Sequence, residues 1–581
     1  MMQREEAGSV YKVYRGGGAP HYPEREGRLS SGALLADTMS CKDGDTDAEL
    51  GLKEVELNEM EQEKLPMNSS GGLGDTNGAV MVKVEAGAGP GPGAGPGVKF
   101  TGLSKEELLK VAGSPAWVRA RWMLLILFWL GWLGMLAGAI AIIVQAPRCK
   151  PLPPNRWWQQ GGLYQLAVSA FQDSDGNGSG DLAGVGERMD EIAALKVKGI
   201  VIGPVHRNVP DQITETKLTE IDSKFGNLEQ MEKLLETARR KGIKVILDLT
   251  PNYRGKQEWF DINFNRSDDS QDLLQEKAAF QYWLQKGVDG LRLRGIEQVL
   301  RSAPSRVEEW QNLTRNFSTD ENPRALIVAT VKTNPEEILQ LLNQSDTDLL
   351  FSYYLRETLI SSNPLSANTI QQRVQKYIDN CGKTWPSWAV GGYEVGHMAS
   401  SVEQHLRGLV HVMLFTLPGT PFIYYGDEIG LQDYQQPELN KTPWMLWDVP
   451  SKGGVISNTN NPGTPSSNLT VEGQKSLLPL FKKLSLLKTK EHSLLFGEFQ
   501  SIYSSDAVYV YSRIWDQSDR FLVLLNFRKE PETVSLSGRN LPTQASVELS
   551  SSAKRPKEMV SLTAIHLAGG EGLVLKFPYV A

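Results

Sequence analysis

The longest uninterrupted apolar stretch in this 581-residue chain runs from Trp122 to Val144 and carries no charged side chain. That predicts a helix able to cross the ~30 Å hydrocarbon core of a bilayer. Just upstream, Ser104-Lys-Glu-Glu107 ahead of Leu108, Leu109 and Val111 has the form of a capping box and predicts a short juxtamembrane helix. Far downstream, a polar stretch near Ser451 to Glu472 leads into a helical pattern over Leu477 to Leu487. Alternating strands follow at Val508-Tyr-Val-Tyr-Ser512 and Phe521-Leu-Val-Leu-Leu-Asn-Phe527. Residues 1–100 show no such pattern. They combine an acidic run from Asp43 to Glu63 with a stretch of only Gly, Ala and Pro from Ala86 to Gly97, too little apolar surface to offset chain entropy.

The resulting expectation is a disordered tail (1–100), a juxtamembrane helix (101–121), a span (122–144), a neck (145–160) and two folded domains (161–489 and 490–581), more than one domain's length. The span begins too far into the chain for a cleaved signal, so the protein stays anchored. Lys105, Lys110, Arg119 and Arg121 before it against Arg148, Lys150 and Arg156 after it give only a weak positive-inside bias. Glycosylation sequons add weight: Asn177, Asn265, Asn312, Asn316, Asn343, Asn440 and Asn468 follow the span, and Asn68 alone precedes it. The expected topology is type II, with the tail in the cytosol and the large domain outside. No ionisable residue lies in the span, so nothing in it marks a substrate path. The small-residue pairs Gly134/Gly138 and Ala137/Ala141 either let another helix approach closely or are ordinary lipid-facing positions.

Between Leu163 and Trp447 the motifs resemble those of the α-amylase family of glycoside hydrolases. Tyr164-Gln165 with the loop Phe171 to Leu182, Gly199-Ile-Val-Ile-Gly-Pro204, Ile246-Leu-Asp-Leu-Thr-Pro-Asn-Tyr253, Gly287-Val-Asp-Gly-Leu-Arg-Leu-Arg294 and Leu417-Pro-Gly-Thr-Pro-Phe-Ile-Tyr-Tyr-Gly-Asp-Glu-Ile-Gly430 match its first, second, third, fourth and eighth strands. The resemblance implies an α/β fold: a single transmembrane helix, then a (β/α)8 TIM barrel and a C-terminal antiparallel β-sandwich domain.

Retaining glycoside hydrolysis needs two carboxyl groups about 5 Å apart, one nucleophile and one acid. By this resemblance the nucleophile position is Arg294 and the acid position Thr330, in Leu326-Ile-Val-Ala-Thr-Val331. A guanidinium stays protonated and a hydroxyl is far too weak an acid, so neither can exchange a proton near neutral pH. Asp248 and Arg292 match retained positions, while Gly392, Tyr393 and Glu394 stand where the family has Asn-His-Asp. The survivors form either an internal polar network or a rewired catalytic set. From Pro251 to Gly287 there is room for a loop and one helix only, not for the inserted domain that walls the sugar cleft in active members.

Asp173, Asp175, Asn177 and Asp181 alternate in a Gly-rich loop, a set that suits a hard cation such as calcium or, with Gly184 in place of a closing Glu, is an inherited turn. No other cofactor is expected, and no nucleic acid. Of three cysteines, Cys41 would sit in the reducing cytosol. Cys149, in Pro147-Arg-Cys-Lys-Pro151 beside the membrane, suits an intermolecular bridge. A Cys149–Cys381 bridge is the alternative, with Cys381 otherwise an ordinary buried thiol.

Tail, span, juxtamembrane cysteine, Trp157-Trp158 and a barrel stripped of its acid and nucleophile together resemble the glycoprotein heavy chains of heterodimeric amino-acid transporters. That resemblance implies a multi-span light chain disulfide-linked at Cys149 and brought to the plasma membrane, and a role in integrin signalling. A surface α-glucosidase and a free-standing receptor are the competing functions.

Overall fold

The computed structural model describes residues 105–145, 150–260, 271–345, 347–360, 365–434, 440–447, 468–538, 541–552, 555 and 557–579. The expected juxtamembrane helix proves to be two pieces: Lys105–Ala112 ends at a Gly113-Ser114 break, and Pro115 opens a second helix, Pro115–Gln145. Proline lacks an N–H and pre-sets a helical φ, so it starts a helix more readily than it continues one. The second helix therefore exceeds the apolar stretch, and its 31 residues span about 46 Å at 1.5 Å per residue. It is long and apolar enough to cross a membrane, and none of its residues is buried.

The barrel is built from eight parallel strands: β1 (Leu163–Leu166), β2 (Gly199–Ile202), β3 (Lys244–Asp248), β4 (Gly290–Leu293), β5 (Ala325–Ala329), β6 (Leu349–Phe351), β7 (Ser387–Ala389) and β8 (Thr420–Tyr424). Their order is β6-β5-β4-β3-β2-β1-β8-β7, and a parallel bridge from Leu349 to Trp385 closes the ring. Each strand buries both faces, because helices cover the outside and side chains fill the inside. Period two sorts them: Leu163, Val201, Ile246, Ile327, Phe351 and Phe422 form the interior cluster, while Ile200, Leu247, Leu291, Val328 and Ile423 pack under the helices. Trp157 and Trp158 join the interior cluster. Trp157 Nε1 donates to Pro323 O at 2.8 Å, and Trp158 O accepts the Thr420 hydroxyl at 2.6 Å, which anchors the neck to the barrel. Between β3 and β4 the described residues hold one helix, Gln271–Lys286, as the short spacing requires.

After the helix Asn468–Lys490 come β9 (Glu498–Ser504), β10 (Val508–Ile514), β11 (Arg520–Asn526), β12 (Glu532–Val534), β13 (Gln544–Ser550), β14 (Met559–Ser561), β15 (Ile565–Leu567) and β16 (Gly572–Phe577). Six form an antiparallel sheet, β9-β10-β11-β16-β13-β14, and β12 pairs with β15. The central strands are buried at every residue from Val508 to Arg513 and Phe521 to Asn526. Both faces are covered: Val508, Val510, Leu522 and Leu524 pack with Val534, Ile565 and Leu567 of the small sheet, while Tyr509, Tyr511, Phe521 and Val523 belong to the barrel's own core cluster.

Candidate functional site at the barrel mouth

The inward positions at the carboxyl ends of β3, β4 and β6 determine what stands at the mouth. Asp248 is in register with Arg292 on the neighbouring strand, and Arg292 Nη1 donates to Asp248 Oδ2 at 3.1 Å. Two residues further along the same inward rows stand Thr250, Arg294 and Tyr353. The Thr250 hydroxyl donates to Asp248 Oδ1 at 2.5 Å and accepts the Arg294 N–H at 3.0 Å. Arg294 is the bridge. Its Nε lies 3.3 Å from Asp248 Oδ2 and its Nη1 3.0 Å from Glu394 Oε1. Glu394 Oε2 accepts the Tyr353 hydroxyl, and the Glu394 carbonyl accepts from Lys441 Nζ. Arg292 also lies 4.6 Å over the Phe351 ring.

The buried Asp248, Arg292 and Arg294 and the partly buried Glu394 thus form a quartet of zero formal charge. Asp248 and Arg292 are at most 1% exposed, and the Glu394 side chain keeps 20%. Isolated charges at such depth would be costly, and pairing is what retains them. Burial pushes Glu394 upward, but Arg294, Arg292 and the Tyr353 hydroxyl outweigh it and hold the carboxyl at about 2. Burial likewise disfavours the charge on Arg294, yet Asp248 and Glu394 raise it above its ordinary range.

Side chains also take up space here. The Tyr393 hydroxyl donates to Leu166 O at 2.7 Å, and a Cβ at Gly203 would meet that hydroxyl at 2.0 Å. A Cβ at Gly392 would meet the Tyr353 hydroxyl at 2.1 Å, so both close approaches require glycine. Thr330 is 1% exposed just beyond β5, and its Oγ1 accepts the Lys332 N–H at 3.1 Å. Glu297 faces that hydroxyl, and its burial raises the carboxyl above the usual range.

The structure therefore brings Asp248, Arg292, Arg294 and Glu394 into one network, with Tyr393 beside it. It adds Thr250, Tyr353 and Lys441, of which the first two were findable by counting two residues onward from Asp248 and Phe351. Gly134, Ala137, Gly138 and Ala141 share one face of the exposed helix, with nothing within 4 Å of a Cβ placed at Gly134 or Gly138. Cys149 and Asn265 lie outside the described residues, as does the side chain of Asn468. Asn177, Asn312, Asn316, Asn343 and Asn440 are exposed. Cys381 is a free thiol, 6% exposed, with Sγ 3.3 Å from Tyr377 O.

Asp173, Asp175 and Asp181 can each bring one oxygen within 4.8 Å of the others, a donor set of the type hard cations take. The loop also meets its own hydrogen-bonding needs. Asp173 accepts the Gly176 and Gly178 N–H groups, both at 2.8 Å, and Asp181 accepts Gly184 N–H at 2.7 Å and the Ser174 hydroxyl. Asn177 turns its oxygen to Ser179 N–H at 2.8 Å and its amide nitrogen to Asp175.

A closed eight-stranded barrel with an ion-pair quartet across its mouth, carried behind a long apolar helix, defines the class: an α-amylase-type barrel on a membrane-anchor-like stem. Residues 93–164 match the family described as Solute carrier family 3 member 2 N-terminus, and residues 165–274 and 261–473 match Alpha amylase, catalytic domain. The amino acid transporter heavy chain SLC3A2 of Mus musculus is 42% identical over 92% of this chain and 99% of its own length. The heavy chain SLC3A1 of Rattus norvegicus is 28% identical over 82% and 86%. Among solved structures, trehalose-6-phosphate hydrolase of Bacillus licheniformis superposes with a TM-score of 0.59 at 17% identity, covering 73% of this chain and all of the enzyme, a likeness of fold alone. The chain belongs to the amino acid transporter heavy chain family of SLC3A2, the 4F2 heavy-chain type.

Proposed function

We propose that this chain is the non-catalytic heavy subunit of a heterodimeric amino-acid transporter. It spans the plasma membrane once with its tail in the cytosol, joins a multi-span light chain through a disulfide at Cys149, stabilises that partner and delivers it to the surface. Association with integrin β subunits belongs to the same reading, on resemblance alone. The observation that carries the non-catalytic part is the quartet itself: the nucleophile position holds a guanidinium tied to both nearby carboxylates, with charge opposite to what an oxocarbenium-like transition state needs. The exposed Gly134/Gly138 face supports a helix partner in the membrane, and the exposed sequons support an extracellular barrel.

Arg294→Asp should leave the purified chain unable to hydrolyse a chromogenic α-glucoside, because Thr330 still supplies no acid. Robust turnover by the wild type or this variant would overturn the non-enzyme reading and point to Glu297 as a stand-in acid. The Asp173 loop is on this reading an inherited turn. Chelation with EGTA should leave the thermal midpoint unchanged, and a fall of several degrees would assign the loop a calcium ion.

A further inference from the structure

Away from the mouth, a cavity of about 250 Å3 lies between the helix Met189–Ala194 and the helix Asn468–Lys490. Its walls are apolar: Ile192, Leu195, Met445, Trp447 and Leu478. They are also held in place. Trp447 Nε1 donates to Phe171 O at 2.9 Å with Arg188 4.7 Å over its ring, and Met445 N donates to Ala170 O at 2.8 Å.

Three charged side chains line this space. Glu191 is already taken by Arg188 at 2.9 Å. Glu428 is 2% exposed; its Oε1 accepts the Tyr164 hydroxyl at 2.8 Å, and its Oε2 is buried with no hydrogen-bond partner among the described residues. A buried carboxylate oxygen left unpaired is costly and needs an explanation. Lys482, half-buried, lines the same cavity, yet no ion pair within 4 Å joins it to Glu428 among the described residues; burial above all pushes the Glu428 carboxyl up to about 7, so that a cation beside it would favour its charged form. An amine alone would answer Glu428 and face Lys482; a carboxylic acid alone would do the reverse. A zwitterion with an apolar body answers both, and the volume, below the ~300–1,000 Å3 usual for drug-sized ligands, suits about ten heavy atoms.

We propose that this cavity binds a free hydrophobic α-amino acid of leucine size, its ammonium on Glu428, its carboxylate on Lys482 and its side chain against Trp447, Met445 and Leu478. The test is calorimetric titration of l-leucine into the full-length chain in mild detergent, expressed without any partner so that no transporter's own substrate site enters the measurement. Saturable binding at millimolar affinity or tighter is expected. Leucinamide, without the carboxylate, and isocaproate, without the ammonium, should each bind at least about tenfold more weakly. Lys482→Met, at a half-exposed position that tolerates the change, should weaken leucine by a similar factor with the thermal midpoint unchanged, and Glu428→Gln should do likewise. No saturable leucine binding by the folded wild type would overturn the assignment. So would equal binding of isocaproate, which would make the cavity merely apolar, or wild-type affinity in Lys482→Met.

Discussion

Arg294→Ala should destabilise the barrel by about 3–5 kcal/mol, read as a shift in the denaturant midpoint, because Asp248 keeps Arg292 but Glu394 loses its ion-pair partner and the network is left with one unbalanced negative charge. The cost is that of breaking a network, so an all-apolar redesign of the whole quartet should recover most of it. The same network sets the acid limit. Glu394 is held at about 2 in the folded state against an ordinary 4.5, so its contribution is complete above pH 4.5 and is lost as pH falls toward 2. Wild type should therefore lose about 3 kcal/mol more than Glu394→Gln over that interval, and the two stabilities should converge at its acid end. Parallel pH curves for the two proteins would mean that the pairing across the mouth contributes little.

Arg513→Met should cost about 2–4 kcal/mol, although no carboxylate pairs with Arg513 among the described residues. The guanidinium lies on β10, fully buried, with burial lowering it to about 10. Its Nη1 donates to Thr416 O at 2.7 Å and its Nη2 to Gly497 O at 3.0 Å. Thr416 ends the helix Arg407–Thr416, where unsatisfied carbonyls and the negative end of the helix dipole meet. Lys488 repeats the device one residue on, donating to Leu417 O at 3.0 Å and Leu494 O at 2.9 Å. These two side chains join the terminal sheet and its preceding helix to the barrel. A loss below about 1 kcal/mol would show that the carbonyls find water instead.

The barrel and the apolar helix are legible in the sequence because each resides in a local run: motifs of up to fourteen residues, or an unbroken hydrophobic stretch. A polar network at the mouth is one of two alternatives the sequence leaves open, but the bridging role of Arg294 in it is not legible there. Arg294 reads as a lesion in its own motif, and its role emerges only when β3, β4, β6 and the residues after β7 converge, bringing Asp248, Tyr353 and Glu394 from distant parts of the chain. The places of Lys488 and Arg513 are illegible for the same reason, since nothing local says that a helix end will meet them. The alternation of Val and Tyr marks β10 as a strand, and only the structure shows that its tyrosine face packs on the barrel and its valine face against the small sheet. Glu428 sits inside the most specific motif of the chain, Leu417 to Gly430, yet the cavity it lines depends on residues far before and after it.

Non-reducing electrophoresis of the full-length chain from its native membrane, with and without Cys149→Ser, decides whether this chain is one half of a disulfide-linked heterodimer. A larger band is expected that collapses on reduction, contains a multi-span transporter, and disappears in Cys149→Ser, while surface delivery and co-purification in mild detergent largely persist through the Gly134/Gly138 face. Absence of any reducible band in the wild type, or a band that survives Cys149→Ser and is lost with Cys381→Ser, would contradict a heterodimer linked at Cys149.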